Sequence, residues 1–224
     1  MRKVFEIGGF VAAAILIAFG ATAIVMGING RDTVSNSLKN EYIVGSPDMT
    51  PAAIKVEAQK AGIYAAVKQW PTQNVAGKNI DSGSKARAFA EYMHVHALEA
   101  TRGFTYSQMG IYTAKPGTPK AELMPGGGTD NTAFALTDPK TQQPVQNGAR
   151  NVWVTETALT TALNTSYMAD QLGLFGIVVG VALLLSGFGF AILAAGGTLL
   201  NAEPALKLFG KRTPKTVGKF VPTA

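Results

Sequence analysis

Two long stretches of the chain are apolar without interruption, and the residues between them alternate in a helical period. The first stretch, Ile7–Ile28, contains no charged side chain. As a helix it is roughly 33 Å long, the thickness of a bilayer core. The second, Leu172–Leu200, is also free of charge and is long enough to span with tilt. Both predict transmembrane helices. A shorter apolar run after Arg2 and Lys3, ending at the small residues Ala21-Thr22-Ala23, would read as a cleaved leader. Here the run continues through Ile24, Val25, Met26 and Ile28, which favours an uncleaved anchor.

Between the spans the pattern predicts a mostly helical domain. Asp32 to Ile43 reads as a helix continuing out of the first span, with Val34, Leu38 and Tyr42 on one face. Gly45-Ser46-Pro47-Asp48 breaks it. Thr50 followed by Pro51 is a helix start, a hydroxyl acceptor at the N-cap and then a proline where no donor is required. Ile54, Ala58, Ala61 and Ala65 give that helix an apolar face, and Trp70-Pro71 is expected to end it. Asp81-Ser82-Gly83-Ser84 caps a third helix, with Phe89, Tyr92, Met93, His96 and Ala100 on one side. From Lys115 to Gly148, prolines 116, 119, 125, 139 and 144 and the run Gly126-Gly127-Gly128 exclude a long helix. FALTDPKTQQPV suggests a small hairpin around Asp138-Pro139. The opening of NVWVTETALTTALNTSYMADQ suits a strand, because valine, tryptophan and threonine favour one. Beyond Glu156 the spacing of Leu159, Ala162, Leu163 and Tyr167 favours a helix running into the second span.

The predicted fold class is therefore a mainly α membrane protein. Two transmembrane helices flank a mostly helical extracytoplasmic domain with a Pro/Gly-rich loop and a possible small β-hairpin. The expected divisions are 1–6 as a cytoplasmic N-terminus, 7–28 as the first span, 29–171 as the outer domain, 172–200 as the second span and 201–224 as a basic cytoplasmic tail.

Charge orients this arrangement. The chain has 20 Lys plus Arg against 14 Asp plus Glu, a formal net charge of +6. The segment 29–171 holds 13 basic and 12 acidic residues by direct count, a net of +1. The rest of the excess lies at the ends, in Arg2 and Lys3 and in Lys207, Lys211, Arg212, Lys215 and Lys219. The positive-inside rule then places both termini in the cytoplasm of a bacterial plasma membrane and the central domain outside. The basic tail suits anionic lipid or a disordered retention segment. A nearly neutral loop without a recognition motif argues against nucleic acid as a partner. Cysteine is absent, so neither a disulfide framework nor a thiolate metal site is possible.

Small residues recur within the spans at spacings of three and four. Gly9, Ala13, Gly20 and Gly27 mark one helix, and Gly173, Gly176, Gly180 and Gly187 mark the other. Such stripes let backbones approach closely in lipid. They predict a packing seam, whether between the two spans, with a second copy, or with another membrane protein.

Candidate chemistry is confined to EYMHVHALEA, which holds both histidines. Residues two apart on a helix point about 200° from each other, so His94 and His96 cannot share one metal there. Glu91 with His94, and His96 with Glu99, form one i,i+3 pair each. A zinc or iron site needs about three protein ligands, so no metal ligand and no cofactor is assigned. His96 is expected at the edge of the core and His94 in solvent. Gly126-Gly127-Gly128 lacks the lysine and helix start of a phosphate loop, and no nucleophile-elbow motif is present, so no catalytic residue is assigned.

PDMTP (Pro47–Pro51), HALEATRGFTYSQMG (His96–Gly110) and NGARNVWVTETALTTALNTSYMADQLGLFGIVVG (Asn147–Gly180) carry a resemblance. The chain resembles a group of uncharacterised actinobacterial membrane proteins with two spans and an outer loop, over most of its length. The resemblance implies topology and an envelope location. Some members carry a label of aromatic ring-opening dioxygenase, which the residues here do not support, since such enzymes need an iron ligand set. The functional expectation is a non-enzymatic envelope protein, an accessory or scaffold subunit of a membrane complex. The alternative is an extracytoplasmic ligand-binding or sensory module, and a metal-dependent enzyme is the least favoured reading.

Overall fold

The computed structural model describes residues 2–199, with side-chain surroundings for 6–196. The tail lysines and arginine from Lys207 to Lys219 lie outside the described residues. Four helices account for most of the described chain: α1 Arg2–Asn40, α2 Pro51–Lys60, α3 Gly83–Ala100 and α4 Gly148–Leu199. Three short 3₁₀ turns, Tyr106–Gln108, Lys120–Glu122 and Thr132–Phe134, punctuate the segment before α4. Among the described residues, 2–25 with 176–199 form one compact unit and 26–175 form another.

In the first unit α1 and α4 run antiparallel with their backbones in contact. A Cβ placed on Gly180 would lie 2.6 Å from the Gly20 carbonyl oxygen, and one on Gly20 would lie 2.7 Å from that of Gly180. A Cβ on Gly187 would meet Ala13 O at 3.1 Å, and one on Gly9 would meet Ala194 Cβ at the same distance. Only residues without a side chain, or with a methyl, fit this line. The buried positions Ala13 and Gly20 are seven apart, as are Gly180, Gly187 and Ala194. Seven is the coiled-coil period, which keeps one seam facing its partner. The opposite faces are apolar and exposed, including Phe10, Ile15 and Phe19 on α1 and Leu185, Phe188 and Ile192 on α4. Only 17% of each apolar window is buried, the reverse of a soluble core helix.

The second unit is built around α3. Tyr92 and Val95 are fully buried, and Ala86, Ala88, Ala90, Ala97 and Leu98 are also inside. The helix is thus enclosed on a wider arc than the single stripe expected from Phe89, Tyr92, Met93, His96 and Ala100. Leu38 from α1, Ile54 and Ala58 from α2, and Trp153 and Leu163 from α4 close the core around it. The continuation of α1 beyond the apolar stretch matches expectation, and α1 ends at Asn40.

The start of α2 follows its sequence signal: Thr50 Oγ1 accepts from Ala53 N at 3.1 Å, and Pro51 opens the helix. Its end does not fall at Trp70. Gly62 adopts a positive φ of 72°, Gly62 N bonds to Gln59 O and Ile63 N to Ala58 O. These two bonds form a Schellman cap, and the buried pair Ala58 and Ile63 seals it. The periodic Ala61 and Ala65 therefore lie beyond the helix and are exposed.

The strand suggested for Asn151–Glu156 is also corrected, because α4 already begins at Gly148. Asn147 Oδ1 accepts from Ala149 N at 3.1 Å and starts the helix. Trp153 is buried within it, donating Nε1–H to Phe104 O at 2.9 Å. Tertiary burial overrides local β propensity here. The segment FALTDPKTQQPV does turn back on itself: Asp138 accepts from Lys140 N and Thr141 N, and Thr137 bridges Pro144. The pairing stays at isolated bridges, and among the described residues no strand forms.

Candidate functional site

The two histidines of α3 point to different neighbourhoods, as their spacing requires. His94 faces α4. Its Nδ1 lies 3.1 Å from Glu156 Oε1, and its ring meets the Trp153 indole edge-on at 5.3 Å. The Glu156 side chain is only 8% exposed, whereas that of His94 is 50% exposed. Glu156 also accepts from Thr157 Oγ1 at 3.3 Å. A buried carboxylate on Nδ1 accepts from Nδ1–H and orients the ring, leaving Nε2 as its second polar atom. His94 is exposed to solvent as expected, and its solvated ring also meets Glu156 and Trp153 of α4, contacts that helix spacing does not reveal.

His94 sits where two clefts meet. One, of about 770 Å³, is bordered by Gln69, Glu91, Leu98, Thr105 and Gln108. The other, of about 440 Å³, is bordered by Arg87, Thr160, Asn164 and Tyr167. Gln69, Glu91 and His94 belong to both. Glu91 pairs with Arg87 at 3.5 Å rather than with His94, and the Arg87 guanidinium lies over the Tyr167 ring at 4.9 Å. The clefts thus present an acid, a base and a cation within one continuous lining. Among the described residues no serine or threonine hydroxyl bonds to His94, so a nucleophile–base pair is not assembled there.

His96 lies at the edge of the core, with its side chain 26% exposed. Its Nε2 is 2.9 Å from Asp48 Oδ2, and its Nδ1 is 3.8 Å from Glu99 Oε2. Glu57 of α2 completes the group: one ligand-type atom from each of Asp48, Glu57 and His96 falls within 4.8 Å of the others. Burial pushes the Asp48 carboxyl up, but hydrogen bonds from Ser46 and its own backbone, together with His96, hold it below the ordinary range. Burial and the carboxylates of Glu99 and Asp48 hold Glu57 above its ordinary range. Reading EYMHVHALEA alone brings Glu91 and Glu99 to the histidines. It misses Glu156, Asp48 and Glu57, which arrive through the tertiary fold.

The seam glycines fall into both units. Gly9, Ala13, Gly20, Gly180 and Gly187 face one another as described. Gly27 meets Gly173 in the second unit, where a Cβ on Gly173 would be 2.9 Å from Gly27 O and 2.6 Å from Arg31 Cγ. Gly176 is half-buried. Arg31 Nε, beside this contact, bonds Asp170 Oδ1 at 2.9 Å.

No protein-family model matches the chain, and no curated protein and no solved structure matches it.

Proposed function

We propose that the protein is a membrane-anchored ligand-binding module, with α1 and α4 as a two-helix anchor and residues 29–171 as an extracytoplasmic domain. The observation that carries this reading is the His94–Glu156 pair at the meeting of two clefts whose lining is largely apolar with a few polar side chains. A half-exposed imidazole oriented by a buried carboxylate offers a ligand a hydrogen-bonding group of fixed orientation. Glu91, Gln69 and Arg87 around it suit a small polar molecule that carries hydrogen-bond donors and an anionic group.

Exposed apolar faces on α1 and α4 support membrane insertion, and the basic residues at the two ends support a cytoplasmic location for both. The accessory-subunit reading drew its support from the small-residue stripe. That stripe is occupied within the chain at Gly20 with Gly180 and at Gly27 with Gly173, so it does not offer a free docking face. The ligand-binding reading is therefore preferred.

The test is purification of the full chain in mild detergent, followed by denaturation and mass spectrometry of what is released. A stoichiometric small molecule is expected, lost in His94→Ala and reduced in Glu156→Gln. Recovery of a stoichiometric protein partner with no small molecule would restore the accessory-subunit reading.

A further inference from the structure

The group around His96 lies apart from the His94 clefts and has the make-up of a metal site. We propose that Asp48, Glu57 and His96 bind a divalent first-row transition metal, Zn²⁺ or Mn²⁺, which clamps the 46–49 turn and α2 onto α3. Three separate elements deliver the ligands. Each ligand is next in sequence to a buried core residue: Met49 follows Asp48, Ala58 follows Glu57, and Val95 and Ala97 flank His96. The three backbones are therefore held by the core, which limits reorganisation on binding.

The separation fits. Metal–nitrogen and metal–oxygen bonds of about 2.0–2.2 Å place the ligands of one ion up to about 4 Å apart. Atoms already within 4.8 Å need only small side-chain adjustments. An ion would enter between His96 Nε2 and Asp48 Oδ2, now 2.9 Å apart. His96 Nδ1–H would then point to Glu99, 3.8 Å away, giving the carboxylate–histidine–metal arrangement that orients a ligating imidazole. Two carboxylates and a neutral imidazole balance a dication. A bound dication would also offset the repulsion between the Asp48 and Glu57 carboxylates, which lie within reach of one another. The imidazole selects against Ca²⁺ and Mg²⁺, which prefer oxygen ligands alone.

The experiment uses the full chain in detergent, stripped with chelator and titrated calorimetrically with Zn²⁺, Mn²⁺, Ca²⁺ and Mg²⁺. One Zn²⁺ or Mn²⁺ per chain is expected, with Ca²⁺ and Mg²⁺ weaker. Asp48→Asn and Glu57→Gln should each weaken binding at least about tenfold, and Glu99→Gln about tenfold. His96→Gln should abolish the nitrogen-ligand signature in the spectrum of the Co²⁺-substituted protein. His94→Ala should leave metal affinity unchanged while removing the ligand of the clefts, so the two sites fail or survive separately. Absence of saturable one-to-one binding would overturn the proposal. So would affinity that is indifferent to Asp48→Asn and Glu57→Gln, or Ca²⁺ binding as tight as Zn²⁺. Metal-free thermal unfolding of each variant shows whether a loss reflects the site or the fold.

Discussion

At Glu57, burial and the carboxylates of Glu99 and Asp48 favour the protonated form, and only His96 opposes them. The folded state therefore holds this proton more tightly than the unfolded chain, whose reference value is 4.5. Ionised Glu57 costs stability at neutral pH. That cost shrinks as pH falls through the raised folded value and is gone below the unfolded one. In chelator, Glu57→Gln should accordingly unfold at a higher temperature than the parent near pH 7, and the gain should vanish by about pH 4. Asp48 behaves in the opposite sense. Its lowered value contributes stability above its unfolded 3.8 that is lost as pH falls further, so Asp48→Asn should destabilise at neutral pH. A Glu57→Gln variant less stable than the parent at pH 7 would show that Glu57 is held by an attraction the present geometry does not contain. None of these roles was legible in the sequence. Glu57 and Asp48 stand 39 and 48 positions from His96, and Glu156 stands 62 from His94. Local spacing ranks neighbours on one helix and is blind to partners that arrive through packing.

At the scale of elements, legibility followed how local the cause is. Thr50-Pro51 sets the start of α2 with groups at most three residues apart, and the structure reproduces it. The end of α2 was equally local, in Gly62, but the alanine period runs on past it and masked the stop. The opening of α4 is not legible locally, because Trp153 is placed by Phe104, far away in sequence, and not by its own β propensity. The helix seam makes the sharpest element-level test. A leucine at Gly180 would drive its Cβ to 2.6 Å from Gly20 O and 3.0 Å from Ile24 N, both backbone atoms that have no rotamer to change. Overpacking of this kind costs about 1–3 kcal/mol, and more where backbone must separate. Gly180→Leu should therefore lower the thermal stability of the isolated monomer in detergent. Val178→Leu, on a position 60% exposed, should leave it unchanged. If Gly180→Leu leaves the monomer intact and instead dissolves a higher assembly, α1 is not the helix that this glycine serves.

For the whole molecule, the decisive quantity is where charge and apolar surface lie along the chain. Apolar side chains on α1 and α4 are exposed rather than buried, a cost in water and none in lipid. With two crossings, both ends of the chain share a side, and most of the basic excess lies at the ends. The central 29–171 is nearly balanced in charge. Because the chain has no cysteine, single cysteines report location without background. Ser84 and Thr141 are exposed in the second unit. Cysteine at either should react with a membrane-impermeant maleimide on intact spheroplasts, where no outer layer intervenes. Cysteine at Thr216, in the basic tail, should react only after lysis. Labelling at Thr216 before lysis together with protection at Ser84 and Thr141 would invert the topology and place the histidine clefts in the cytoplasm. Equal labelling of all three in intact spheroplasts would mean that α1 and α4 do not cross the membrane, and the exposed apolar faces would then need a protein partner to cover them.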